Sequence, residues 1–538
     1  MKKKLFAFLL PLIVLPLSSC TFFDLVLYKG DSSQVSNNSQ YSLAPLSYVE
    51  GEINQVQLNH TYKELVDHSI YNIDAMPSIG EPHMLVVPLW FNDSNKCIAE
   101  KNKDIILEDL NNTFFGTSQS TGWESVSSYY EKESYGKCKI TGEVLPWQNI
   151  DCDAATLEDK DSSNDNNVGK ILKEVINNWK INNPSKVKDY DLDSNGVLDA
   201  VVLIYGYYDN KTIQEENLKY RLPIPGEDND NLWAYTYWLQ ESNMKPNPED
   251  PIPNSYMFAS FDFMYDNTDR TVIVDAHTYI HETGHLFGLE DYYNYADTTF
   301  SPEPQFAGKF SMQDYNVGGH DPHSIIGLGW TNPYVVYGNG EIKIRPFVSS
   351  GDVILLPSTN DKSVFDEYIL IELYSPTGVN QKDCSRTYKS KNIKGPNNVG
   401  IRIWHVDARI ITPDYSSSRS NTWSKKGITT YIEEGKTYDI LNSNTTYKEN
   451  YSSYCSVLPS CRDYKLLELV RKNDYTGLMQ YKSLSDEVMF YKGNSFVMSN
   501  YSGYFKNGTF NNESTVKYNV SIVDLSNDEA TIQIEVIQ

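Results

Sequence analysis

His277-Thr278-Tyr279-Ile280-His281-Glu282-Thr283-Gly284-His285-Leu286-Phe287-Gly288-Leu289-Glu290-Asp291 is the stretch on which the reading of this chain turns. On a helix, His281 and His285 lie one above the other on the same face and can fill two tetrahedral positions around a zinc ion. Glu282 is rotated beside them, near a water that such an ion would hold but badly placed to be a ligand. Gly288 stands where the helix should stop, because a residue without a Cβ takes the left-handed conformation that turns a chain sharply. That turn carries Asp291 back towards the ion as the expected third ligand. Glu290 beside it offers the same hard oxygen on a longer arm, but the spacing H-E-x-x-H-x-x-G-x-x-(H or D) selects Asp291. With nine histidines in 538 residues, H-E-x-x-H arises by chance on the order of 0.01 times. His277 lies one more turn upstream. Two adjacent turns already span one ion, so His277 is expected behind the ligands or packed in the core.

The chemistry follows from the residue types. A zinc ion lowers the pKa of a water, Glu282 takes its proton as general base, and a carbonyl is hydrolysed. Both histidines must be neutral to bind, so acid is expected to release metal and activity together.

Working outward, Met84 to Phe91 is a near-continuous apolar run of strand length, as in a strand covered on both faces. A short helix is predicted over 124–134. A longer one is predicted over 168–180, where Val168, Ile171, Leu172, Val175, Ile176 and Trp179 form one apolar stripe. Val201 to Tyr205 and Thr271 to Val274 read as strands, the second leading into the histidine helix. Beyond residue 340 strands alone follow: Ile342–Phe347, Val353–Leu356, Tyr368–Tyr374, Ile401–Val406, Val516–Val523 and Thr531–Val536, the last two joined by a turn at Asn527 and Asp528. The expected fold is therefore α+β: a zincin-like catalytic domain over 81–340, with a mixed sheet and the active-site helix, and then an all-β, sandwich-like region over 341–538. Residues 411 to 500, rich in Tyr, Ser, Asn and Lys, resist assignment.

The amino terminus sets the compartment. Lys2, Lys3 and Lys4 precede an apolar run from Leu5 to Leu17, too short to span a bilayer but shaped as an export signal. It ends in Leu17-Ser18-Ser19-Cys20, similar to a bacterial lipobox. Residues 1–19 are thus expected to be removed, and Cys20 to be acylated as a lipid anchor on the extracellular face of the membrane. Residues 20–80 then read as a flexible tether or pro-segment, with a small polar run from Lys29 to Ser39. The other cysteines, Cys97, Cys138, Cys152, Cys384, Cys455 and Cys461, contain no C-x-x-C, which argues against a thiolate zinc site or a redox motif. Seventy-one acidic against 46 basic residues, a net charge of -25, and no basic stripe disfavour nucleic acid as a partner. A monomer is expected.

Beyond the zinc motif, the chain resembles the immune inhibitor A family of secreted bacterial zinc metallopeptidases, relatives of the metzincins. The likeness is carried by Ser125-Val126-Ser127-Ser128-Tyr129-Tyr130-Glu131-Lys132-Glu133-Ser134-Tyr135-Gly136-Lys137, by Phe91-Asn92-Asp93, by Phe310-Ser311-Met312-Gln313-Asp314-Tyr315-Asn316 and by Leu328-Gly329-Trp330. Glu367 to Glu372 and Gly400 to Asp407 extend it into the β region, so that it covers most of residues 84 to 408. Glu290 departs from it, standing where many members carry Pro. The resemblance implies a Met-turn in which Met312 floors the metal, and a secreted enzyme that cuts proteins or peptides.

Asp191, Asp193, Asn195 and Asp199, with Gly196 between them, fit the first nine positions of a calcium loop, although Val202 replaces the Glu expected at the twelfth. A self-capped Asp turn is the competing reading. His320 and His323 are candidates for substrate binding or oxyanion stabilisation, or for a structural role; His405 and Asp407 are expected to serve the β region. A catalytically silent surface adhesin that keeps the fold is the alternative to a peptidase, but a binder needs none of the histidine, glutamate, glycine and aspartate spacing. A metal-dependent hydrolase of glycans or esters uses the same ion.

Overall fold

The computed structural model describes residues 53–67, 73–158, 167–209, 229, 231–239, 245–265, 273–293, 306–315, 317–360, 362–386, 394–408, 410–411, 428–433, 436–441, 465–477, 485–512 and 514–537. Cys20, the export signal, the polar run of the tether, Cys455 and Cys461 lie outside the described residues. Among the described residues no helix is long and apolar enough to cross a membrane.

Strand β1 (Ile53–Gln55) comes first in the chain. The apolar run then forms β2 (His83–Phe91), followed by β3 (Thr141–Val144), β4 (Gln148–Ile150), β5 (Ala200–Tyr205), β6 (Tyr235–Trp238) and β7 (Ser255–Ser260). These last six make one mixed sheet in the order β3-β2-β5-β7-β6, with β4 also on β2. The pairs are parallel except that β6 runs antiparallel to β7. Parallel strands are covered on both faces, and β5 and β7 are buried at every position.

Ten α-helical segments are described: α1 (Tyr62–Asp67), α2 (Lys103–Phe115), α3 (Ser118–Thr121), α4 (Val126–Glu133), α5 (Val168–Asn182), α6 (His277–Leu286), α7 (Met312–Tyr315), α8 (Pro322–Gly327), α9 (Phe347–Ser350) and α10 (Gln381–Ser385). The predicted stripe on α5 is buried along its length and joins the core of this sheet. Asn167 caps α5 by accepting from the Lys170 amide at 2.9 Å. Ser125 and Ser128 close a capping box at the start of α4.

The strand expected at 271–274 is not found where it is described. Thr271 and Val272 lie outside the described residues; Ile273 and Val274 form a bend leading into α6, and Ile273 is half exposed, with its amide on the Thr121 carbonyl at 2.7 Å. The strand beside β5 is instead β7, and the sheet edge is β6.

Downstream come β8 (Tyr334–Val336), β9 (Gly340–Ile344), β10 (Val353–Pro357), β11 (Glu367–Tyr374), β12 (Gly400–Asp407), β13 (Ile410–Ile411), β14 (Ile428–Glu433), β15 (Lys436–Leu441), β16 (Leu467–Val470), β17 (Ser495–Val497), β18 (Lys517–Leu525) and β19 (Ala530–Ile537). The run expected to reach Phe347 ends at Ile344, because Pro346 turns the chain into α9. A six-stranded sheet has the order β1-β8-β10-β11-β12-β16, and a four-stranded one the order β17-β18-β19-β9; β13, β15 and β14 form a third. The six-stranded sheet is apolar on both faces. Tyr368, Leu370, Trp404 and Val406 point into the core shared with the first sheet, whereas Ile369, Ile371, Ile401 and Ile403 point into a second core shared with β9, β18 and β19. This alternation comes from the side-chain period of two along each strand.

Candidate metal centre

Helix α6 is fixed before it does any chemistry. The Tyr279 hydroxyl donates to the Ser260 carbonyl at the end of β7 at 2.6 Å, and the Tyr130 hydroxyl of α4 donates to the Ile280 carbonyl at 2.7 Å. The helix ends at Leu286, and Gly288 follows with φ +94°, while the Leu289 amide reaches back to the Gly284 carbonyl at 3.1 Å. That bond closes a Schellman-type turn, which only the left-handed conformation of Gly288 permits at low cost.

The turn delivers Asp291 to the histidines. Asp291 Oδ1 lies 3.0 Å from His281 Nε2 and 3.3 Å from His285 Nε2, and among the described residues these three are the group able to hold a metal ion. Glu290 is exposed and Asp291 is buried, so of the two candidate acids it is Asp291 that faces the rings. The far nitrogens are spoken for: His281 Nδ1 sits 2.7 Å from the Met312 carbonyl and His285 Nδ1 2.7 Å from the Leu289 carbonyl. A carbonyl only accepts, so each Nδ1 carries the hydrogen and each neutral ring presents its lone pair at Nε2. Two imidazole lone pairs and a carboxylate oxygen converging on one point fit a zinc ion. With protons alone in the site, burial disfavours a charged His285, yet Asp291 beside it lifts its pKa to about 10. Burial works against the Asp291 carboxylate as well, but the two rings pull its pKa well below the usual range.

Glu282 is buried beside this group. Burial raises its pKa, while His285 and His281 pull the other way. The Thr236 hydroxyl of β6 donates to the Glu282 carbonyl at 2.8 Å and lies 3.3 Å from its Oε2, placing the edge strand against the acid. Sequence reasoning passed over Thr236, because its segment shows only a short apolar alternation. It also passed over Gln313, whose Nε2 is 3.4 Å from His285 Nδ1, and Tyr293, whose hydroxyl bonds to Asp291.

Met312 is fully buried on α7, where its carbonyl orients His281. The Tyr292 amide donates to the Gln313 carbonyl at 2.8 Å, tying the ligand loop to the same short helix.

His277 lies apart from the metal group. Its ring stacks on Trp123 at 3.9 Å between centroids, Nδ1 bonds to Asp275, and Nε2 is 3.2 Å from Asp383 Oδ1. Burial resists its charge, but the two carboxylates raise its pKa to about 10. His320 is buried between Glu133, Tyr129 and Gln313. His323 bridges two tyrosines, with Nε2 2.7 Å from the Tyr62 hydroxyl and Nδ1 2.7 Å from that of Tyr368, and burial lowers its pKa to about 4. Both rings are bound up in the interior. His405, on β12, lies between Glu367 and Glu468, and Asp407 accepts from the Asn511 side chain at 2.9 Å.

The expected calcium loop folds as a turn whose acids cap backbone amides. Asp191 accepts from the amides of Asn195 and Gly196 at 3.0 and 2.9 Å, Asp199 from those of Leu192 and His83 at 2.9 Å each, and the Asn195 side chain donates to Asp74 Oδ1 at 2.8 Å. The Lys63 ammonium of α1 sits 3.1 Å from Asp193 Oδ2 and 3.6 Å from Asp74 Oδ1, a built-in cation beside these acids. Among the described residues no disulfide joins Cys97, Cys138, Cys152 or Cys384.

Against this geometry the comparison with known families is specific. Residues 92–313 match the immune inhibitor A peptidase M6 catalytic domain. The matched stretch begins just after β2, contains β3 to β7, α2 to α6 and the histidine motif, and ends within α7. Over those residues the chain is similar to a peptidase catalytic domain, which supports a metallopeptidase acting on proteins or peptides. No curated relative matches the chain.

Proposed function

We propose that the protein is a zinc-dependent endopeptidase of zincin type, anchored by a lipid on Cys20 to the extracellular face of a bacterial membrane. The observation that carries the reading is the convergence of His281 Nε2 and His285 Nε2 on Asp291 Oδ1, with Glu282 on the next step of the same helix.

His281, His285 and Asp291 would hold the zinc. When bound, the ion supplies Lewis acidity to a water and to the scissile carbonyl. Glu282 takes the proton from the attacking water and returns it to the leaving amine, and its burial suits both halves of that task because it favours the protonated state in between. Thr236 keeps the carboxylate at the sheet edge. Gly288 and the carbonyls of Met312 and Leu289 set the ligand geometry without touching substrate. Calcium at Asp191, Asp193, Asn195 and Asp199 belongs to the same proposal with less support, since Lys63 already brings positive charge to that cluster.

The test is elemental analysis of the purified protein with a casein-type protease assay. About one zinc per chain is expected. Glu282→Ala should keep the zinc and lose activity. Equal activity in both proteins would overturn the reading, and a protein that binds zinc without cleaving anything would favour the silent adhesin.

A further inference from the structure

Among the described residues ahead of the matched stretch, 59–67 and 73–80 do not hang free of it. They run as a strap over the end of the active-site helix. At one end Asn59 bridges to Ser363 and the Asn59 amide donates to the Lys362 carbonyl at 2.6 Å; at the other the Gly80 amide donates to the Lys137 carbonyl at 2.8 Å. Between them the Met76 amide donates to the Leu286 carbonyl at 2.8 Å, capping the last turn of α6.

Two glycines admit the strap. A Cβ on Gly288 would lie 2.7 Å from Val66 Cγ2, and one on Gly327 would lie 2.4 Å from the Tyr62 ring. Tyr62 and Val66 are buried there, so α1 seats directly on the turn that delivers Asp291. Polar contacts agree. The Tyr62 hydroxyl bonds to His323 Nε2 at 2.7 Å and lies close to that of Tyr292, the residue after Asp291. Hydrogens can be placed along this row in one direction: Tyr62 donates to the neutral His323, His323 Nδ1 to Tyr368, and Tyr368 to the Val364 carbonyl at 2.9 Å, while the Tyr292 hydroxyl pairs with Ser324 Oγ at 2.8 Å. Removing the Tyr62 hydroxyl therefore leaves His323 Nε2 short of a buried partner.

We propose that this strap is a permanent part of the working protein and a positioning element for the third ligand, with Tyr62 and Val66 holding the Gly288–Tyr292 turn so that Asp291 faces the histidines. The inference rests on the zinc reading above. It differs from the two roles open to residues 20–80 at the sequence level, since a tether would make no such contacts and an inhibitory pro-segment would have to leave before catalysis.

The experiment measures zinc affinity by chelator competition on the full-length chain, alongside kcat and thermal stability. Tyr62→Phe and Val66→Ala should each weaken zinc about tenfold or more. Ser78→Ala is the control. It removes another strap bond, to the Leu328 carbonyl at 2.9 Å, and should lower stability while leaving zinc affinity unchanged. If all three variants bind zinc like the wild type, or if zinc affinity merely tracks stability in all three, the positioning role is wrong. A specific cleavage site placed between Asp67 and Ile73 supplies the second arm: cutting should speed zinc loss, and higher turnover after cutting would make the segment inhibitory instead. A wild-type chain that takes up no zinc would overturn the metal reading itself, and this inference with it.

Discussion

Gly284 and Gln313 lie in direct contact: a Cβ on the glycine would stand 2.2 Å from Gln313 Oε1. The carboxamide cannot swing away freely, because Gln313 is fully buried, its Oε1 is 3.3 Å from His320 Nε2 and its Nε2 is 3.4 Å from His285 Nδ1. In a helix, Gly→Ala ordinarily gains about 0.4–1 kcal/mol. Here Gly284→Ala should instead lose about 1–3 kcal/mol through overpacking. Adding Gln313→Ala should recover much of the loss, which urea unfolding of the single and double variants would measure.

Thr236 connects the sheet edge to Glu282, the proposed general base. Thr236→Val should lower kcat about tenfold, roughly one hydrogen bond, with zinc content unchanged. Thr236→Ser keeps the hydroxyl and should restore most of the rate. A valine variant as fast as the wild type would remove Thr236 from the mechanism.

His277 is a structural counter-ion. His277→Ala strands the buried carboxylates of Asp275 and Asp383 and removes the stacking partner of Trp123. A loss of about 3–5 kcal/mol is expected. Zinc stoichiometry of the folded variant should not change, and a zinc titration checks that this histidine is no ligand.

His405 should make stability pH-dependent. Burial opposes its charge, but hydrogen bonds from its ring to Glu367 and Glu468 outweigh burial and raise its pKa to about 9. The folded value exceeds the unfolded one, so its contribution is complete below pH about 6.5 and is lost as pH climbs towards about 9. In urea melts across this window, the stability gap between wild type and His405→Gln should shrink as pH rises.

What could be read from the sequence was local. The candidate metal centre was legible because four of its residues sit within one helix and one turn, and Gly288 announces the turn. Long apolar runs such as Met84–Phe91 and the stripe on α5 were legible for the same reason. β7 was missed because Ser-Tyr-Met-Phe-Ala-Ser shows no clear alternation, and Ile273-Val274, more strand-like by composition, lay nearer the helix. The contacts of Tyr62 with His323 join residues 261 positions apart, and nothing in residues 59–67 or 73–80 signals that they are built into the domain. Gln313 and Thr236 likewise act only through neighbours that folding brings to them.

The six-stranded sheet has a consequence for how the molecule comes apart. Because each of its faces is the wall of a different oily interior, neither half of the chain can be stripped away without wetting the other. A fragment stopping at residue 340 would expose an entire greasy flank and should precipitate, and the intact protein should melt as a single calorimetric event.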